Sequence, residues 1–87
     1  MTMQITRRVE DFPPQQRHHH ILRAYDALSV GDALILEARH NPAPFVEQFS
    51  RLRQVGGQAD WITEGPPLWV FQLTKNAEDP IQSMPLM

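Results

Sequence analysis

The stretch DALILEAR, residues 32–39, constrains the fold of this chain more than any other. Ala33, Leu34, Ile35, Leu36 and Ala38 put apolar side chains at both parities of an extended segment, so neither face is suited to water. The run reads as a central strand, and segments of helical spacing flank it. Upstream, Ile21, Leu22, Tyr25 and Leu28 recur with the helical period and predict a helix over about residues 14–28. The turn SVGD ends it, with Gly31 as the turn residue. Asp11 is the expected N-cap, and Pro13 and Pro14 suit a first helical turn, where a missing N–H costs nothing. Downstream, Phe45, Val46, Phe49 and Leu52 predict a second helix that begins near Ala43 or Pro44 and closes at VGGQ.

Strand patterns occupy both ends. MQITRRV, residues 3–9, alternates and carries charge, which fits a short edge strand. ADWITEG and LWVFQLT, separated by a tight GPP turn, form a hairpin. The order is βαβαββ, an α+β two-layer sandwich of a mixed four-stranded sheet with both helices on one face. Crossover connections imply parallel pairing of the first three strands, and the hairpin returns the fourth antiparallel. One sheet face is left open, to be covered by the tail or by a second copy of the chain. Residues 1–75 make one domain, and 76–87, with two prolines and no period, read as loop or disordered tail.

Composition narrows the chemistry. The 87 residues include no cysteine, which removes disulfides, thiolate ligands and a thiol nucleophile and fits a reducing compartment. No apolar run approaches the ~18 residues of a membrane span, and the N-terminus lacks the core of a signal peptide, so a cytoplasmic location is expected. The net charge is −2 and the eight Lys and Arg residues are scattered, so no basic stripe points to nucleic acid.

Three consecutive histidines, His18, His19 and His20, fall in the first predicted helix. At about 100° per residue His18 shares the stripe of Leu22, His19 sits on its border and His20 points to the wet face. Topology brings others to His18. His40 follows the second strand and Glu64 ends the third, so His18, His40 and Glu64 converge on the rim where open α/β sheets hold ligands. Asp11 lies on the same rim. Two imidazoles and a carboxylate can bind zinc or iron, or a small anionic ligand, or handle protons. They can equally be structural: His18 bonded to a backbone carbonyl, His40 capping the HNPAP turn, Glu64 bonding hairpin N–H groups. Trp61 and Trp69 flank the hairpin turn, as packing residues or as a binding surface.

Taken together, several short motifs resemble a known family. They are Arg17-His18, Ile21 and Tyr25-Asp26-Ala27-Leu28; Gly31-Asp32, Leu34 and Leu36; His40-Asn41-Pro42, Pro44 and Phe45; and Trp61, Glu64-Gly65-Pro66 and Trp69. Over residues 3–74 the chain resembles the bacterial domain-of-unknown-function family 2249, with the Trp61-to-Gly65 spacing one residue shorter than the family pattern. The resemblance implies a TusA/SirA-like βαβαββ sandwich. Those sulfur carriers begin their first helix with Cys-Pro, and here DFPP stands in that place, so a persulfide relay does not carry over. Similar domains occur beside hemerythrin-like or cupin-like domains in proteins tied to nitric oxide and redox responses.

The functional expectation is a small regulatory or binding module without catalysis of its own. His18 and His40, with Glu64 as the third member, would bind a metal ion or a small ligand, and His18 and His40 would be the metal ligands. Two alternatives remain open. One is an interaction module that dimerises or docks through the open sheet face. The other is an enzyme that uses His18 and His40 for proton transfer.

Overall fold

In the computed structural model, which describes residues 2–79, the chain runs β1 (Gln4–Arg8), a 3-10 turn (Val9–Asp11), α1 (Arg17–Asp26), β2 (Ala33–Ala38), α2 (Ala43–Leu52), β3 (Gly57–Thr63) and β4 (Trp69–Lys75). The fold is α+β with the order βαβαββ. The four strands form one sheet in the order β1-β2-β4-β3. β2 pairs parallel with β1 and antiparallel with β4, and β3 pairs antiparallel with β4. The DALILEAR strand is therefore central.

β3 points the same way as β1 and β2, yet it bonds to neither of them, which corrects the expected pairing of the first three strands. The returning strand β4 takes the place beside β2, and polarity accounts for the exchange. β4 brings Phe71 and Leu73, each at most 1 % exposed, to the covered face. β3 carries Gln58, Asp60 and an exposed Ile62, a composition that tolerates the edge.

Both helices cover one sheet face. Leu34 and Leu36 of β2 stand opposite Leu73 and Phe71 of β4, and Ile21, Leu22, Tyr25, Phe45 and Phe49 close over them. The expected helix stripes are the buried ones, except that Val46 is half-buried, and His18, at the start of α1, and Leu52, at the end of α2, are exposed. The opposite face is largely polar. Ile35 and Glu37 share it with Gln72, Thr74, Gln58 and Asp60, and Gln72 bonds Thr74 while Gln58 bonds Asp60. The sheet thus offers water a hydrogen-bonded surface rather than a bare apolar one.

α1 begins at Arg17, three residues later than its apolar period suggests. Asp11 lies in the 3-10 turn and not at the N-cap, and Pro13 and Pro14 precede the helix. Gln16 enters through the left-handed region at φ 60°, an uncommon conformation for a residue with a side chain. Arg17 then donates from Nε and Nη2 to the Phe12 carbonyl at 3.1 and 3.0 Å, which ties the Pro-Pro segment back against the helix start.

The other end of α1 is held by a buried cation. Lys75, 4 % exposed, donates from Nζ to the carbonyls of Asp26 and Leu28 at 2.8 Å each and lies 3.3 Å from the exposed carboxylate of Glu78. A cation at the C-terminal end of a helix satisfies carbonyls that have no partner within the helix. Tyr25 packs edge-on against Phe49 at 4.9 Å, and its buried hydroxyl has no hydrogen-bond partner among the described residues. Burial, reinforced by the nearby Asp79 charge, pushes its pKa up to about 12. Part of the expected tail is tied down. Asp79 accepts from the Val55 and Gly56 N–H groups at 3.0 Å, and residues 80–87 lie outside the described residues.

Candidate functional site

The parallel pairing of β1 and β2 brings their C-terminal ends to one rim of the sheet, and both helices start there. Between those helix starts lies a recess of about 170 Å³. Its apolar lining comes from Val9 after β1, Ile21 of α1, Ala38 at the end of β2, Pro42 and Phe45 at the start of α2, and Phe71 of β4. Its polar lining is Glu10, Arg17, His18, His40 and Asn41. The 3-10 turn explains why Val9 and Glu10 are there. It ends β1 early and lets Val9 pack against the core.

His18 and His40 both line the recess, as the sequence argument placed them. The His18 ring leans toward α2 rather than into the sheet. It packs edge-on against Phe45 at 5.1 Å, and its Nδ1 lies 2.9 Å from Gln48 Oε1. Its partner is therefore a side-chain amide and not the backbone carbonyl considered from sequence. His19 is exposed, and His20 is half-buried rather than on the wet face. His40 is exposed at the rim. The capping role considered for it falls to its neighbour, because Asn41 Oδ1 accepts the Ala43 N–H at 3.0 Å, while the Asn41 amide hydrogens have no partner among the described residues.

Glu64 sits exposed in the β3–β4 connection and does not line the recess; Asp11 does not line it either. The carboxylate that does so is Glu10. Its Oε2 accepts the Arg39 backbone N–H at 2.9 Å. That bond holds its pKa below the ordinary carboxylate value, aided by the charges of Arg17 and Arg39 and opposed by slight burial. Among the described residues no three His, Cys, Asp or Glu side chains come together in a way that could hold a metal ion. Two imidazoles alone fall short of the three or four protein ligands of a zinc site.

Three polar lining residues escaped the sequence argument as site members: Glu10, Arg17 and Asn41. Arg17 and Asn41 were visible only as parts of motifs. Gln48 had no signal, since a glutamine on a helix is ordinarily a solvated residue. Trp61 is 37 % exposed, and its ring meets Phe71 edge-on at 5.8 Å. Phe71 in turn lies 6.0 Å from Phe45, so an aromatic row runs from the recess to the β3 edge.

Comparison with protein-family models matches residues 7–75 to one described as Uncharacterized conserved protein (DUF2249). No curated protein and no solved structure matches the chain. No helix among the described residues is long and apolar enough to cross a membrane.

Proposed function

The chain belongs to the DUF2249 family of uncharacterized conserved proteins, and from that premise we propose that it is a small-ligand-binding module whose site is the recess at the C-terminal ends of β1 and β2. The observation that carries the reading is the joining of Arg17, His18 and His40 around an apolar floor that ends in Phe45 and Phe71. Binding sites combine such floors with a few convergent polar groups. The volume suits an organic acid of a few carbons rather than a nucleotide. The apolar floor takes its hydrocarbon part, and Arg17 with His40 meets its carboxylate, for which a guanidinium fork is well matched.

The chain lacks cysteine, so in a redox or nitric-oxide setting such a module would report a metabolite rather than exchange thiols. A TusA/SirA-like origin agrees with the βαβαββ order and needs no sulfur chemistry here. A cytoplasmic domain spanning residues 1–75, acting alone or as a homodimer, completes the reading.

Isothermal titration calorimetry with 3-methylbutanoate tests it. Saturable binding with Kd below about 1 mM, an affinity of about −4 kcal/mol or better, is the expected result. Arg17→Met should weaken it at least tenfold, because the carboxylate loses its charged partner. Equal heats for wild type and Arg17→Met would remove the recess as the site. Zinc chloride serves as the comparison ligand, and stoichiometric zinc binding lost in His18→Ala and His40→Ala would replace the organic acid by a metal.

A further inference from the structure

Resting on the reading of the recess as a binding site, we infer that Gln48 is a positioning residue that fixes the tautomer of His18 and thereby selects ligands bearing a hydroxyl or ammonium donor beside the carboxylate. The Gln48 oxygen 2.9 Å from His18 Nδ1 can only accept a hydrogen bond. Nδ1 therefore carries the hydrogen, and in the neutral ring Nε2 keeps its lone pair. The same bond and the edge contact with Phe45 hold the ring in one orientation at the recess. A partner that orients one ring nitrogen and so sets the role of the other is a recurrent device around functional histidines.

The remaining polar groups complete the inventory. Glu10 spends one oxygen on the Arg39 N–H and has acceptor capacity left on the other. Arg17 spends Nε and Nη2 on the Phe12 carbonyl and keeps further N–H donors. Asn41 spends its oxygen on Ala43 and keeps its NH2. The recess thus offers donors from Arg17 and Asn41 and acceptors from His18 Nε2 and Glu10. A simple fatty acid brings these exposed acceptors no donor and leaves them to water, so it gains no hydrogen bond there. A 2-hydroxy or 2-amino acid with a short apolar side chain matches both sets.

Two measurements test this, and they fail independently of each other. The first needs no ligand. Long-range 1H–15N correlation spectra of the imidazoles, recorded above the histidine titration, should show the Nδ1–H pattern for His18 in wild type and in Gln48→Glu, which keeps an accepting oxygen. Gln48→Leu should shift it toward the Nε2–H pattern, which free imidazole favours. An Nε2–H pattern in wild type, or no change in Gln48→Leu, overturns the positioning role. The second compares 2-hydroxy-3-methylbutanoate with 3-methylbutanoate by calorimetry. Wild type should prefer the hydroxy acid by about tenfold, the worth of one hydrogen bond, and Gln48→Leu should lose most of that preference. Equal affinities in wild type overturn the ligand class. If neither acid binds while the tautomer is as stated, the binding reading and the ligand class fall and the positioning role stands.

Discussion

Lys75→Met should unfold this protein far more easily than the loss of one surface charge would suggest. The ammonium is buried and donates to two carbonyls at the end of α1, Asp26 and Leu28. Methionine keeps most of the stem, so the change removes the ammonium with its two bonds and its contacts to Glu78 and the Tyr25 ring. Leu28 is buried, and its carbonyl would lose the Lys75 ammonium in a dry site at about 1–3 kcal/mol. Asp26 is exposed, so water can replace the lysine there at less cost. Removing the buried charge returns part of its desolvation penalty. The balance is a loss of ~2 kcal/mol against a total stability of about 4–13 kcal/mol for a chain of this size. At about 4–8 °C per kcal/mol, the midpoint should fall by roughly 8–16 °C. Urea unfolding followed by the fluorescence of Trp61 and Trp69 gives the value, with an unchanged slope as the sign that the unfolded state is unaffected. Glu78→Ala is the control. It removes only the exposed partner of the same ammonium and should cost less than about 0.5 kcal/mol. If Lys75→Met lies within about 0.5 kcal/mol of wild type, the bonds only balance the cost of burying the charge, and the capping argument fails.

Three further outcomes follow from particular contacts. Tyr25→Phe removes a buried hydroxyl without a partner among the described residues and should leave stability unchanged or raise it by about 1 kcal/mol; a clear loss in thermal melts would show that the hydroxyl is paired. Glu10 has a lowered folded pKa, so its contribution is full above about its ordinary value of 4.5 and is lost as pH falls below that through the folded value. Melting curves of wild type and Glu10→Gln should therefore differ at neutral pH and converge in acid, and a constant offset down to the lowest pH would contradict the Arg39 bond. Gly57→Ala would place a methyl 2.7 Å from the Phe49 ring and 2.9 Å from the Arg53 carbonyl, and overpacking at that junction should cost about 1–3 kcal/mol in denaturant melts.

The parts of the fold legible in sequence were those written as period. Leu34 and Leu36 on one parity and Ile35 on the other made β2 central, and Ile21, Leu22 and Tyr25 marked the covered face of α1. Strand order was less legible, because hairpin chemistry around Gly65-Pro66-Pro67 joins β3 to β4 without saying which of them lies beside β2. The start of α1 was misplaced because Pro13 and Pro14 are compatible with a first helical turn and equally with the turn before it. The left-handed Gln16 and the Arg17 bond to Phe12 decide between them, and neither has a pattern in the sequence.

The site divides in the same way. His18 and His40 were placed together by topology alone, since a parallel βαβ unit must bring the first helix start and the second strand end to one rim. Glu64 followed the same rule for strand ends. β4, however, stands between β2 and β3, so the end of β3 is set away from the recess by one strand. Glu10 reached the recess through a 3-10 turn that local composition does not announce. Gln48 matters through a distance to His18 across thirty residues, which only packing of the two helices creates.

The most direct test of the central claim is chemical-shift mapping of 15N-labelled protein titrated with 2-hydroxy-3-methylbutanoate. The account predicts saturable shifts at the amides of Glu10, Arg17, Ile21, Ala38, His40 and Phe45, with the open-face residues Thr6, Ile35 and Gln72 unmoved. Shifts confined to the open face or the β3 edge, or none that saturate, would contradict it.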